Sequence, residues 1–281
     1  MAELMKGAPV AAAITGQLIQ RAERLKEQGV VPTLAIVRVG EKPDDLSYER
    51  GACKRCEKVG IAVKQFILPG EYQTQELLDV ITQINEDPSI HGCLMFRPLS
   101  CKEDEEKVCA LLSPAKDVDC ITAGSLASVF AGSGEGFAPC TAQAVVALLE
   151  HYQVPLSGAR VTVVGRSLVI GKPVSMMLQA KNATVTMCHT RTKDLPAECK
   201  RAEILVAAAG KAGVIGCEHV TKGQIVVDVG INVDAEGNLC GDVAGSAGDV
   251  VAAITPVPGG VGTVTTSILA QHVIEAAEKT I

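Results

Sequence analysis

Short runs of branched aliphatic residues alternate with longer stretches carrying apolar residues at helical spacing, along nearly all of this 281-residue chain. A short, unbroken apolar run reads as a strand buried on both faces, and a helical stretch between two such runs supplies the crossover that parallel strands require. The alternation therefore predicts an α/β fold with parallel sheets covered by helices. PVAAAITGQLIQRAERLKEQG (9–29) predicts a helix stopped by Gly29, and TLAIVRV (33–39) a strand. A helical pattern over about 45–59 stops at Gly60, and IAVKQFIL (61–68) follows as a strand. TQELLDVITQINED (74–87) reads as a helix and GCLMF (92–96) as a third strand. The pattern restarts with the amphipathic TAQAVVALLEHYQV (141–154) and the strands ARVTVVG (159–165), ATVTMC (183–188), EILVAAA (203–209) and QIVVDVG (224–230). A last helix, TTSILAQHVIEAAEKT (265–280), follows a Gly/Pro-rich segment.

This length suits two domains better than one core. The expected division is a first doubly wound domain over 1–140 plus 264–281 and a second, Rossmann-like, over 141–263, with a cleft between them. Apolar residues make up 47% of the chain with no Trp and 2% aromatics, so Val, Ala, Ile and Leu build the cores. A net charge of −6 without a basic block argues against nucleic acid or an anionic membrane as partner. The N-terminus lacks a basic start followed by a long apolar run, and no 18-residue apolar stretch occurs, so a soluble cytoplasmic protein is expected. The eleven cysteines are odd in number and mostly isolated in apolar runs, the pattern of reduced, buried thiols. Cys53 and Cys56 form a C-x-x-C pair inside a helical pattern, but no second ligand pair accompanies it, and no metal site is expected.

VTVVGRSLVIGKPVSMML (161–178) reads as strand, glycine turn and helix. Gly165 stands where the backbone turns sharply, Ser167 can donate to a phosphate, and Gly171 opens a helix whose free amides attract anions. The motif is not the usual G-x-G-x-x-G, and taken alone it also fits an ordinary strand–helix turn. The following strand ends in His189, Thr190, Arg191 and Thr192, with no carboxylate before Asp194. NAD-preferring domains usually carry an acidic residue there, whereas hydroxyls and a guanidinium suit a 2′-phosphate. Arg166 is a second candidate for that contact, and for either arginine a solvated surface position is the competing reading.

VGRSLVIGKP, ATVTMCHTRT, VVDVGIN, GDV and above all TPVPGGVG (255–262) together resemble the methylenetetrahydrofolate dehydrogenase/cyclohydrolase family. VG…SY…C…VGI near 39–61, SPAKDVD (113–119) and PCT (139–141) extend the resemblance over nearly the whole chain. It implies a homodimeric enzyme of one-carbon metabolism with NADP or NAD as cofactor and a tetrahydrofolate derivative as substrate; Arg166, Thr190, Arg191 and the missing carboxylate make NADP the expected cofactor in preference to NAD. It further implies that Tyr48 stacks on the folate and that Asp119 accepts hydrogen bonds from the pterin edge. Pro258, Gly259 and Gly260 would form a loop admitting close backbone approach to the folate, and Ile231 joins the cofactor-binding residues with Gly165, Arg166, Ser167, Gly171, His189, Thr190 and Arg191.

Several positions depart from the family pattern. After the tyrosine the pattern is Y-x-x-x-K, and the lysine position is Ala52 here. The pattern V-Q-L-P-L-P reads MFRPLS, which puts Phe96 at the glutamine position, followed by Arg97. KDVDG has become KDVDC at Cys120. Arg50 and Lys54 point about 200° and 240° away from Tyr48 around a helix, and Arg55 lies about 10 Å along its axis, so none replaces the lysine. Oxidation of 5,10-methylene- to 5,10-methenyltetrahydrofolate needs no proton removed by the protein, whereas hydrolysis of the methenyl product needs an activated water. The expectation is an NADP-dependent dehydrogenase with weak or lost cyclohydrolase activity. Two rivals remain open at this level: a dinucleotide-dependent enzyme with another substrate, and a silent folate- or nucleotide-binding subunit.

Overall fold

The computed structural model describes residues 2–281. In chain order β1 (Glu3–Leu4), α1 (Gly7–Glu27), β2 (Thr33–Val39), α2 (Pro43–Val59), β3 (Ala62–Leu68), α3 (Thr74–Glu86) and β4 (Gly92–Met95) are followed by α4 (Lys102–Leu111), α5 (Ala123–Ala131) and α6 (Cys140–His151). Then come β5 (Arg160–Val164), α7 (Gly171–Ala180), β6 (Thr184–Cys188), α8 (Leu195–Lys200), β7 (Ile204–Ala207) and β8 (Ile225–Asp228). The hairpin strands β9 (Asn232–Val233) and β10 (Leu239–Cys240), then α9 (Gly245–Gly248), β11 (Ala253–Ile254) and α10 (Gly262–Glu278), complete the chain. No helix among the described residues is long and apolar enough to cross a membrane.

The chain divides into two compact units, one of Ala13–Cys140 with Thr266–Ile281, the other of the N-terminal residues through Ala12 with Thr141–Thr265. The expected boundary thus fails for the first twelve residues. Glu3 and Leu4 pair in parallel with Ala253 and Ile254, and Glu3 N and Met5 N donate to the carbonyls of Ala252 and Ile254 at 2.8 and 2.9 Å. A two-residue strand carries no readable periodicity, so only the pairing reveals where it belongs.

In the first of these units three parallel strands lie in the order β3-β2-β4. β2 is central and almost wholly buried, and its Ala35 and Val37 pack with Leu77, Ile81, Ile84 and Met95. β3 is an edge strand with exposed Lys64, Gln65 and Ile67. Pro43 opens α2, Asp44 and Asp45 occupy its first turn where carboxylates suit the helix dipole, and Gly60 closes it at φ 90°. The buried stripe of α2 is Glu49, Ala52, Cys56 and Val59. The charge in that stripe is paired: Arg38 Nε donates to Glu49 at 2.6 Å, with each residue 6% exposed. Gln65 also donates to Glu49, and Arg38 donates to the carbonyl of Gly40. A buried carboxylate so fully engaged fixes the second turn of α2 against β2 and β3.

The second unit is built on a six-stranded parallel sheet in the order β1-β11-β8-β7-β5-β6. Val164, Leu205, Val226 and Ile215 anchor one side of its core. Helices α4 and α5 and the β9–β10 hairpin are elements for which the sequence patterns gave no strand or helix. α4 is mostly charged, the hairpin strands have two residues each, and α5, though apolar, is only nine residues long, too short to show a helical period.

Candidate active site

In the first unit the candidate residues gather at the carboxyl ends of β2 and β4. β4 continues into Phe96, whose amide donates to the carbonyl of Val37 at 3.1 Å. Its ring meets that of half-buried Tyr48 edge to face, with centroids 6.0 Å apart and planes at 80°. Ala52, one turn beyond Tyr48, is fully buried at 0% exposure. At this end of the sheet the position therefore carries a methyl group sealed from water. Lys54 is exposed, and Arg55 is turned to α1, where Nη1 donates to Thr15 Oγ1 at 2.6 Å.

The two aspartates of KDVD have different tasks. Asp117 is wholly buried and accepts from the amides of Ile121 and Thr122 at 2.9 and 2.8 Å, which folds the segment. Asp119 is half-buried and accepts from the amide of Cys140, the first residue of α6, at 3.3 Å. Burial pushes the Asp119 carboxyl above the ordinary aspartate range, opposed by its contacts with Cys140 and by the charge of Arg97. Cys120 sits at φ 60°, the left-handed region a family glycine occupies freely, at a cost of about 1–2 kcal/mol for a residue with a Cβ. All eleven cysteines are free thiols, and burial pushes Cys56 and Cys120 up to about 12. Such thiols are inert at neutral pH, and Cys53, raised first by burial and then by Glu49, follows the same trend. Among the described residues no group of three or more His, Cys, Asp or Glu is arranged to hold a metal.

The second unit holds the glycine turn. Gly165 has φ 140°, and a Cβ there would lie 2.1 Å from the carbonyl oxygen of Ala208, so the strand end tolerates no side chain. Gly171 is pressed as closely onto Gly165, where an added Cβ would stand 2.3 Å from the carbonyl oxygen. Ser167 Oγ accepts from the amides of Ile170 and Gly171 at 3.1 and 3.4 Å, leaving its hydroxyl proton to donate outward. After β6 the turn His189–Thr192 is folded by its own side chains. His189 N donates to Thr192 Oγ1 at 2.9 Å, and Arg191 N donates to His189 Nδ1 at 3.1 Å. Arg166, Thr190 and Arg191 are exposed. Asp194, the next carboxylate, caps α8 by accepting from Ala197 N at 3.1 Å.

Two further carboxylates, not singled out from the sequence, organise the loops beyond the sheet. Asp242 is fully buried and accepts from the amides of Ala209, Gly210 and Lys211 at 2.6, 2.9 and 2.9 Å and from Asn232 Nδ2 at 2.9 Å. Asp228 accepts from the amides of Gly230, Asp242 and Val243, each at 2.9 Å, and burial lifts it to about 6. The signal lay in VVDVGIN and GDV, where Gly230 stands two residues after Asp228 and Gly241 directly before Asp242. A Cβ on Gly241 would stand 1.9 Å from Asp228 Oδ2, and one on Gly230 would stand 2.3 Å from Asp242 Oδ1. These loops bring Ile231 beside Pro258, Gly259 and Gly260 around a cavity of about 220 Å³.

Two family models cover the chain: the tetrahydrofolate dehydrogenase/cyclohydrolase catalytic domain matches residues 5–119, and the NAD(P)-binding domain of the same family matches 139–281. Among curated proteins, the bifunctional protein FolD of Clostridioides difficile is 49% identical over 277 residues, 98% of this chain and 96% of that protein. Among solved structures, the bifunctional FolD of Campylobacter jejuni superposes with a TM-score of 0.95 at 33% identity, covering all of both chains. The Trypanosoma brucei dehydrogenase-cyclohydrolase, solved with NADP and an inhibitor, gives 0.92 at 31% identity over 99% of this chain and 98% of that one.

Proposed function

Since this chain belongs to the tetrahydrofolate dehydrogenase/cyclohydrolase family, we propose that it oxidises 5,10-methylenetetrahydrofolate to 5,10-methenyltetrahydrofolate with NADP and hydrolyses the product little faster than buffer does. The observation that carries the second half is the buried methyl of Ala52, one turn from Tyr48, with Phe96 packed on the tyrosine. Hydrolysis requires a group that takes a proton from water as the tetrahedral intermediate forms, typically contributing about 10²–10⁴-fold. Neither an alanine nor a phenylalanine can do that, and the apolar ring disfavours an ordered water.

The oxidation makes lighter demands. NADP, when bound, supplies the carbon that receives the hydride. Tyr48 offers an aromatic face to the folate, and Asp119 offers acceptor oxygens to the donor-rich pterin edge. The Pro258–Gly260 loop lets backbone approach the ligand closely. No residue has to remove a proton, because the folate's own nitrogen lone pair compensates the carbon that loses hydride; alignment does most of the work. For the cofactor, the exposed Arg166, Thr190 and Arg191, with no carboxylate at the end of β6, fit a 2′-phosphate.

The test is one assay in two parts: methylene-dependent NADPH formation, then the decay of methenyl absorbance. The expected result is rapid NADPH formation with methenyltetrahydrofolate accumulating and decaying at the buffer rate. Rapid clearance of the methenyl form would show that another residue supplies the base. Tight folate binding without NADPH formation would favour a silent subunit instead. A homodimer is part of the same proposal and is read by sedimentation.

A further inference from the structure

Asp119 projects from a segment that two buried side chains grip by its backbone. The carbonyl oxygen of Val118, the residue before it, accepts from His272 Nδ1 of α10 at 2.8 Å and from Cys140 Sγ of α6 at 3.3 Å. A carbonyl offers two lone pairs, so both donors fit at once. Thiol and ring nitrogen stand 3.8 Å apart, and the amide of the same Cys140 donates to Asp119 Oδ1 at 3.3 Å. A carbonyl can only accept, which places a proton of His272 on Nδ1. Burial holds the ring below the ordinary histidine range, so it donates as a neutral imidazole.

The imidazole is itself fixed. Phe137 packs on it with ring centroids 4.9 Å apart and planes at 32°, and Nζ of Lys279, just past α10, lies 4.8 Å over the Phe137 ring. Val118 has no slack on its other side, since a Cβ on Gly92, at the start of β4, would stand 2.6 Å from its Cγ1. Val118, Cys140 and His272 are all sealed from water, and His272, at 1% exposure, reaches no ligand itself. We propose that His272 is a positioning residue for folate: with Cys140 it locks the peptide between Val118 and Asp119 and so aims the Asp119 carboxylate at the pterin edge. This rests on the reading of Asp119 as the folate-binding carboxylate. A polar group displaced by about 1 Å can cost about 10²-fold in such a site, so one hydrogen bond to the backbone that carries it matters.

Two exchanges at position 272 separate aiming from packing. His272→Phe keeps a ring against Phe137 and removes the donor, whereas His272→Asn gives up the ring and puts an amide nitrogen where Nδ1 stood. The phenylalanine variant is expected to raise the KM for methylenetetrahydrofolate about tenfold, with kcat falling less and the KM for NADP unchanged. The asparagine variant should keep that KM within about twofold of the parent, although the cavity it leaves lowers the melting temperature. A role in packing alone predicts the reverse order. An unmoved folate KM in His272→Phe overturns the proposal, as does an asparagine variant whose KM rises as far as the phenylalanine one. Cys140→Ala removes the second donor to the same carbonyl and should raise that KM by less. It decides the matter if the phenylalanine variant does not fold, and an unmoved KM there overturns the proposal too. Asp119→Asn tests the underlying reading separately and should weaken folate binding about tenfold. Unchanged affinity in that variant removes Asp119 from the site; weakened affinity there, with His272→Phe unmoved, removes only the role of His272.

Discussion

The nucleotide turn and the tyrosine-bearing helix use their backbones in opposite ways. At Gly165 and Gly171 the backbone itself is the device, since close carbonyl approach excludes any side chain and the geometry can be met by few sequences. On α2 the backbone is an ordinary helix, and everything chemical depends on which side chains line one face. A backbone site survives only while its glycines survive. A helix face can lose one activity and keep another by exchanging single residues. The function proposed above uses that freedom: Ala52, on the helix face of Tyr48, and Phe96, packed on the tyrosine ring, stand where the resembled pattern has a polar pair.

The largest effect expected from this contrast is on the helix face. Ala52→Lys combined with Phe96→Gln should raise methenyl hydrolysis by up to about 10²-fold, part of what a general base contributes. Each single change should give much less, so the pair should exceed the sum of the two, because adjacent groups acting as a unit are non-additive. Stopped-flow decay of the methenyl absorbance measures all three variants. Additive singles would break the comparison by showing that the two positions act independently.

A smaller effect is expected on the nucleotide side, where side chains merely decorate a fixed turn. Arg166→Ala or Arg191→Ala should weaken NADP by about 1.5–3 kcal/mol, roughly tenfold to a hundredfold, and leave NAD nearly unchanged. Fluorescence titration with both dinucleotides decides it. Equal losses would mean that neither arginine meets the 2′-phosphate.

The smallest effect concerns stability. Asp228 is lifted to about 6 by burial, with Asp242 adding a like charge and three amides opposing. Its folded form holds the proton more tightly than an unfolded aspartate near 3.8. The stability linked to that proton is therefore full below about pH 4 and lost as pH rises through 6. Calorimetry should find a melting temperature that falls by a few degrees over that interval, and Asp228→Asn should flatten the slope whatever its effect on the absolute value.

Much of the architecture was legible because parallel strands buried on both faces leave uninterrupted apolar runs, as in TLAIVRV and RVTVV. The N-terminal strand was not, since Glu3 and Leu4 acquire their place only by pairing with Ala253 and Ile254. At the candidate site, Tyr48, Asp119, Ala52 and Phe96 could be picked out by spacing against a known pattern. The tasks of Asp117, Asp228 and Asp242 could not, because a carboxylate that gathers loop amides looks in sequence like any polar loop residue. Burial and the direction of those amides are properties of the folded chain alone.

The Arg38–Glu49–Gln65 network on the buried stripe of α2 limits what a new charge at position 52 could do. Position 52 lies three residues beyond Glu49 on the buried stripe of α2, the spacing at which opposite charges on a helix meet. An ammonium placed at 52 would find an anion already committed to Arg38 and would compete with that guanidinium for it. An amine held by Glu49 sheds its proton less readily, so Ala52→Lys alone should recover little, and an amide at position 96 offers the amine a competing partner. Putting back one residue is therefore not the same as putting back its chemistry.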